Sequence, residues 1–326
     1  MSSTIKNYPK VSVVIVNWNG GDLLQRCIAE LQQQTVLPNE IIVVDNASSD
    51  GSGLAVEQAF PHIRVIHAGS NLGFAAGNNL AVRQAASDSS WIALLNPDAF
   101  PEPEWLESLL DAAIRNPEFA IFGSRLMDAN SGTLLDGTGD AYHLSGLVWR
   151  EAHGQPVQQG HLVSKEIFST CAAAGLYRRD VFDALGGFDE DYFCYVEDID
   201  LGFRYQLAGY RCLYVPTSVA KHVGSALTGK RSDFSVYYGH RNLVWTFIKN
   251  MPGLLFWLCL PLHLALNLIT IAYFIRQGQG QVIWRAKRDA FTGIPQAWKK
   301  RRLIQSQRRA SLTHIWKLLN KKFSRG

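Results

Sequence analysis

Apolar and polar positions alternate in blocks along the first 125 residues. Val11 to Val16 has the character of a buried strand, and Leu23, Leu24, Cys27 and Leu31 follow it at helical spacing. Ile41 to Val44 is a second apolar run, closed by Asp45; Arg64 to His67 is a third strand and Trp91 to Leu95 a fourth. Ala75 to Ala86 and Pro103 to Arg115 read as helices, the latter with proline near its first turn. This alternation predicts an α/β protein with a parallel sheet covered by helices. Ligands of such sheets bind beyond the carboxyl ends of the strands. Three polar clusters fall there: Asn17-Trp18-Asn19, Asp45-Asn46 and Asn96-Pro97-Asp98.

The pattern then changes. Residues 126 to 170 are rich in Gly, His and Gln without a clear period, which predicts short strands and a mobile loop. Cys171 to Tyr177 is apolar, a helix around Val181 to Leu185 ends at Gly186-Gly187, Ile199 to Leu207 is helical, and Arg211 to Val215 is a last strand with Lys221-His222 beyond it. Leu254 to Ile275 is a run of 22 residues without a charge, long enough to cross a bilayer. Leu312, Ile315, Trp316 and Leu319 form the apolar stripe of an amphipathic helix between basic residues. The organisation expected is an N-terminal tail (1–9), one large domain (10–250), an apolar membrane-associated segment (251–276) and a basic amphipathic tail (277–326).

Charge sharpens that division. The net +4 conceals fourteen Lys or Arg against the single acid Asp289 from Arg276 onward, which leaves the body at −9. A basic tail on an acidic body points to phosphate, and the neighbouring apolar run favours lipid headgroups over nucleic acid. Five scattered cysteines give neither a disulfide framework nor a zinc site, and the polar N-terminus carries no signal peptide, so a reducing cytoplasm fits.

Several residues carry chemistry. Asp45 stands where a carboxylate could accept hydrogen bonds from a pyrimidine ring or a ribose hydroxyl, although Asp-Asn-Ala-Ser-Ser is also turn and cap chemistry. Asn71-Leu-Gly73-Phe-Ala-Ala-Gly-Asn78-Asn runs into a helix whose first amides could face a diphosphate. It is not the glycine fingerprint of a dinucleotide site, so a dehydrogenase is poorly supported. Asp98 could hold Mg²⁺ or Mn²⁺ that also grips phosphates, though Asn-Pro-Asp makes a good surface turn as well. Glu197, Asp198 and Asp200 gather three acids: Asp198 is the candidate base and the other two are candidates for the acceptor side. An Asp200–Arg204 ion pair at i, i+4 is an equally ordinary use of that aspartate. His222 could be a structural imidazole or a ligand for Mn²⁺.

Taken in order, VSVVIVNWNG, IIVVDNASSDGS, NLGFAAGNN, LLNPDA, GGFDEDYFCYVEDIDLGFR and KHVGS resemble the family 2 glycosyltransferases, most closely the bacterial rhamnosyltransferase-like branch. The matching stretches span Val11 to Ser225. The resemblance implies an inverting enzyme of the GT-A fold over residues 10–250, a Rossmann-like nucleotide-sugar half fused to an acceptor half. It gives Asn17, Asn19, Asp45, Asn71, Gly73, Asn78, Asn96 and Asp98 to the nucleotide sugar, Asp98 and His222 to a divalent metal, and Asp198 to the role of base. Many relatives carry D-x-D where this chain has Asn96-Pro97-Asp98, which puts metal binding in question and is the best support for the alternative of a degenerate scaffold or sugar-nucleotide sensor. A nucleotidyltransferase would need a basic glycine-rich loop after the first strand, where Asn17-Trp18-Asn19-Gly20-Gly21 stands instead. A dTDP- or UDP-linked donor, rhamnose foremost, and a lipid-linked saccharide acceptor are the expected partners.

Nucleotide sugars are cytoplasmic, so one crossing by 254–275 would place the basic tail outside, against the positive-inside tendency. The expectation is therefore an interfacial or re-entrant segment at the cytoplasmic face of the bacterial inner membrane, with the tail on the anionic leaflet.

Overall fold

A computed structural model describes residues 8–224 and 232–322. Most of the N-terminal tail, Ser225 of the KHVGS stretch and the last four residues of the basic tail lie outside them. The first half is built of β1 (Val11–Asn17), α1 (Gly21–Leu31), β2 (Glu40–Asp45), α2 (Ser52–Ala59), β3 (Arg64–His67), α3 (Gly73–Gln84) and β4 (Trp91–Leu95). There follow β5 (Ala99–Pro101), α4 (Trp105–Arg115), β6 (Phe119–Asp128), β7 (Leu135–Gly137), β8 (Asp140–Tyr142), β9 (Val148–Arg150), β10 (Lys165–Ile167) and β11 (Ala174–Arg178). The remainder is α5 (Arg179–Ala184), α6 (Glu197–Leu207), β12 (Arg211–His222), α7 (Asp233–Asn250), α8 (Gly253–Arg276), α9 (Gly280–Thr292), α10 (Ile294–Ser306) and α11 (Leu312–Leu318).

The main sheet runs in the order β10-β12-β6-β11-β4-β1-β2-β3, with β5 paired to β12 and β7 to β6. Strands β1 to β4 are parallel, as the alternation predicts. The other half corrects that expectation: β11 runs antiparallel to both β4 and β6, so the sheet is mixed. Val11, Val13 and Ile15 pack into one core with α1 and α4, while Val14 and Val16 pack into a second on the opposite face. Both faces of the strand are buried, which is why its sequence reads as a continuous apolar run.

Strand β12 is longer than its apolar stretch predicts. A register irregularity between Val215 and Val219 carries the chain past Pro216 and on to His222, so Lys221 and His222 belong to the strand and pair with β5. Helix α7 has no counterpart in the sequence reading. It buries Asn242, Thr246, Lys249 and Asn250, so the polar residues that obscure its period are the ones it turns inward. Nor is the C-terminal region a loose appendage. Leu255, Phe256, Cys259, Ala310 and Ile315 share an apolar cluster with Tyr142, Phe168 and Phe203 of the main domain.

Candidate active site

The strand ends and the start of α6 enclose a cleft of about 710 Å³, within the usual range for small-molecule sites. Asn96, Asp98, His222, Glu197 and Asp198 all line it, together with Asp136, Asp140, Trp149 and Arg150 from the segment that showed no period.

Asn-Pro-Asp is both a turn and a ligand platform. The Ala99 amide donates to the Asn96 carbonyl (3.0 Å), and the Val223 amide donates to the Asp98 carbonyl (3.0 Å), which brings the end of β12 alongside. His222 Nε2 then lies 3.4 Å from Asp98 Oδ1 and its Nδ1 lies 2.7 Å from Asp136 Oδ2. Burial disfavours the imidazolium, but the bonds to Asp136 and Asp98 outweigh it and raise the pKa to about 9. Asp136 is the hub of this corner. Burial opposes its charge, yet the Arg150 guanidinium, His153 and His222 hold its carboxyl well below the usual range.

Among the described residues no group of three or more His, Cys, Asp and Glu stands ready as a complete metal cage. The donor set nevertheless suits a divalent cation shared with a diphosphate, because Mg²⁺ and its kin are commonly held by one or two protein oxygens plus phosphate and water. Asp98 supplies a carboxylate, His222 an imidazole, and the buried Asn96 Oδ1 lacks a hydrogen-bond partner.

On the other side of the cleft the loop between Tyr192 and α6 is strained. Phe193, Tyr195 and Val196 have φ of +64°, +68° and +70°, a region that non-glycine residues enter at an expense of order 1–3 kcal/mol each. Asn242 of α7 holds them there: its Nδ2 contacts the carbonyls of Tyr192, Cys194 and Tyr195 at 3.0, 2.9 and 2.8 Å. Asp198 follows at the first turn of α6. Its Oδ2 accepts from the Ala172 amide (3.3 Å) and its Oδ1 from the Ile199 amide (2.8 Å). Burial raises its pKa, and these amides and Arg150 oppose the rise. Burial, and then the charge of Asp198, raise Glu197 well above the usual range.

The remaining expected site residues divide. Asn71 and Gly73 line the cleft, but the α3 amides are already taken. Asn46 Oδ1 accepts from Leu72, Asn71 Oδ1 accepts from Gly73, and the Phe193 carbonyl accepts from Phe74 and Ala75. A Cβ on Gly73 would come within 2.5 Å of that carbonyl. The open helix end expected for the diphosphate is thus filled by protein. Asn78 turns away and donates to the Phe74 carbonyl one turn back. Asn17, Asn19 and Asp45 lie behind the lining rather than in it. Asn17 Nδ2 contacts Asp45, Ser48 and Ser52, Asn19 Oδ1 accepts from the Ser49 amide, and Asp45 also meets His67. Trp18 and Asn46 occupy the lining beside them. Asp200 does not line the cleft. It is fully buried between Arg204 (2.9 Å) and Lys249 (2.8 Å) and accepts from Tyr192 and Asn250.

A mixed sheet with acids and a histidine gathered at its strand ends is the arrangement of a GT-A glycosyltransferase. Two solved structures share the fold. GalNAc-T7 with UDP, GalNAc and Mn²⁺ matches at TM-score 0.59 and 16% identity, over 75% of this chain and 48% of that one. The mannosyltransferase PcManGT of Pyrobaculum calidifontis with GDP-Man and Mn²⁺ matches at TM-score 0.50 and 18% identity, over 96% and 79%. The family model for glycosyl transferase family 2 matches residues 12–186, and the chain belongs to that family. It is similar to the N-acetylglucosaminyl-diphospho-decaprenol L-rhamnosyltransferase of Mycobacterium tuberculosis, 31% identical over 73% of this chain and 83% of the relative. It is also similar to an O-antigen chain rhamnosyltransferase of Salmonella typhimurium, 25% identical over 70% of each.

Proposed function

We propose that this glycosyltransferase inverts the donor's anomeric centre, moving rhamnose from dTDP-rhamnose to a prenyl-diphosphate-linked glycan during cell-surface polysaccharide synthesis. The observation that carries the reading is that Asp98, His222 and Asp198 line one cleft at the carboxyl ends of the strands. The choice of rhamnose and of a lipid-linked acceptor is supported by the similarity to the two rhamnosyltransferases.

In this account Asp198 accepts the proton of the attacking acceptor hydroxyl. The hydroxyl oxygen bonds to the anomeric carbon as the bond to the diphosphate oxygen breaks, and that electron pair leaves with the diphosphate. A raised carboxyl pKa suits a base, since it makes proton transfer more favourable. Asp98, Asn96 and His222 would hold a divalent cation, which when bound stabilises the leaving diphosphate as a Lewis acid. The strained loop carrying Phe193, Tyr195 and Val196 orders the wall between donor and acceptor, and orientation of this kind is a large part of the acceleration in bimolecular transfer.

The proposal includes a seat on the cytoplasmic face of the membrane. Helix α8 is long and apolar enough to cross one by composition. Its first half nevertheless packs on the domain through Leu255, Phe256, Cys259 and His263, and Phe274 is buried near its other end against Val236 and Ile283. His263 Nδ1 donates to the Ser145 carbonyl in the β8–β9 hairpin, 2.8 Å away, and its ring stacks on Phe247. A helix so attached fits the interface plane better than an independent span, with Trp257, Leu258, Leu268 and Ile269 facing outward.

The test is nucleotide release from dTDP-rhamnose, UDP-glucose, UDP-N-acetylglucosamine and GDP-mannose with a prenyl-diphosphate N-acetylglucosamine acceptor, with and without Mn²⁺. Acceptor-dependent release from dTDP-rhamnose, lost with EDTA, is expected. Release from another donor alone would replace the sugar assignment. Donor binding without release to any acceptor would favour the scaffold alternative that Asn96 suggests.

A further inference from the structure

Beside the cleft lies a second cavity that the transfer chemistry leaves unused. It encloses about 390 Å³ and is lined by Phe234, Tyr237 and Tyr238 of α7 and Arg285 of α9. Phe234 also lines the cleft, so the two spaces meet at one ring. Both helices lie beyond residue 186, where the match to the family model ends.

Spacing along α7 builds the aromatic wall. Residues 234, 237 and 238 stand at i, i+3 and i+4, neighbours on one helix face, and all three are half-buried. Tyr238 stacks on Phe193 of the strained loop with ring centroids 5.0 Å apart, and Phe234 meets Tyr195 edge-on at 6.0 Å. The wall is therefore continuous with the loop that borders the cleft. Charge enters from α9. Asp289, the one acid of the tail, accepts from Tyr237 Oη (2.8 Å) and pairs with Arg288 (2.8 Å). Arg285, one turn earlier, makes no ion pair among the described residues. Its guanidinium is exposed and lies 4.5 Å from the centroid of the Tyr237 ring. A guanidinium without a carboxylate, at the rim of a cavity, presents a planar fork of donors that suits phosphate oxygens. The far side is apolar. Trp284, next to Arg285, and Phe291 on the same helix are exposed, as are Leu268 and Ile269 of α8, which packs on α9 through Phe274 and Ile283.

We propose that this cavity binds the lipid end of the acceptor: Arg285 pairs with its diphosphate, and the aromatic wall takes the first isoprene unit while the sugar occupies the cleft. This deepens the transferase reading and rests on it. A prenyl-diphosphate sugar carries its anionic group between a polar ring and an apolar chain. The protein repeats that order, with a polar cleft, one cation beside aromatic rings, and exposed apolar residues beyond.

The experiment uses the full chain with saturating dTDP and no added metal, so that the donor site is filled and the probes chelate nothing. Geranyl diphosphate, inorganic diphosphate and geraniol are titrated by calorimetry. Geranyl diphosphate should bind at least tenfold more tightly than either of the others. Arg285→Ala should weaken it roughly 10- to 100-fold, the usual worth of a hydrogen bond to a charged group, with dTDP affinity and the thermal transition unchanged. Arg285→Lys should restore part of the loss, and Phe234→Ala should narrow the preference over inorganic diphosphate. KM for a prenyl-diphosphate N-acetylglucosamine acceptor should rise in Arg285→Ala by the same factor. Equal geranyl diphosphate affinity in Arg285→Ala would overturn the site, and equal affinity of wild type for inorganic diphosphate would reduce it to an anion site without a lipid. Loss of binding in Trp257→Glu with Leu268→Glu would also overturn it, by placing the probe on the outer apolar face. Transfer to the acceptor without geranyl diphosphate binding would remove the site and keep the transferase reading. The expected binding without transfer from any donor would contradict the transferase reading and keep the site.

Discussion

His222 carries a carboxylate on each ring nitrogen, and this makes its proton the competitor of any metal. The raised pKa, about 9, means the imidazolium predominates at neutral pH, whereas ligation requires the neutral ring. Mn²⁺ affinity should therefore rise by roughly tenfold per pH unit from pH 7 toward 9 and then level off. Calorimetric titration with dTDP present checks this, and a flat profile would remove His222 from the ligand set. The same shift affects stability. A folded-state pKa above the unfolded value contributes stability that is complete below about 6.5 and is lost as pH rises through the folded pKa. Asp198 gives the opposite limb of the rate profile. As a base it must be ionised, so kcat should fall on acidification through a pKa above the ordinary aspartate value of about 3.9. A limb at or below that value would contradict the environment described. At this scale the sequence was informative about identity and poor about depth. Asp98, Asp198 and His222 all reach the cleft, yet Asp140, Asp136 and Arg150 were hidden in a segment without periodicity, where no pattern marks which side chains turn inward.

Helix ends and helix faces explain most of the differences between expectation and structure. The glycine loop before α3 has the composition of an anion site, but a carbonyl from a residue 120 positions later, Phe193, arrives to occupy it, and no local pattern contains that event. Helix α7 shows no clear period in the sequence because it buries Asn242, Thr246, Lys249 and Asn250 beside Val236, Leu243, Phe247 and Ile248. Lys249 reaches between Asp189 and Asp200, Lys300 from α10 joins at Asp189, and Arg204 completes the cluster. Asp200 follows the i, i+4 rule with Arg204, so one of the two roles its sequence allowed is the one found. This cluster ties the Asp189 loop, α6, α7 and α10 together. Lys249→Met would leave two buried carboxylates short of a cation and should destabilise the fold by about 3–5 kcal/mol, measured by urea denaturation. A change below about 1 kcal/mol would contradict the burial of this network. Asn242→Ala should act differently. Releasing three carbonyls of the strained loop should lower kcat more than it raises donor KM, because the loop orients the reacting groups.

For the molecule as a whole, the doubly covered sheet and its cleft were largely legible in the alternation of strands and helices. The tail was legible in charge but not in placement. It folds back, with the Arg309 amide donating to the Leu207 carbonyl (2.8 Å) and Lys300 paired to Asp191, so part of its charge serves the fold. What remains outward is apolar as well as basic: Trp257, Leu268, Trp284 and Phe291 are each more than 60% exposed. The chain should therefore co-sediment with phosphatidylglycerol vesicles, less so at high salt, and Trp257→Glu with Leu268→Glu should abolish binding without altering the thermal transition. Unchanged association of that double variant would place the contact elsewhere. The central claim, a donor site at Asp98 and His222 with Asp198 as the proton acceptor, is tested most directly by Asp198→Asn, with dTDP-rhamnose binding and transfer measured on the same preparation. The account predicts donor affinity within about twofold of wild type and transfer reduced by at least the 10²–10⁴-fold that general-base catalysis supplies. Transfer at the wild-type rate would contradict it.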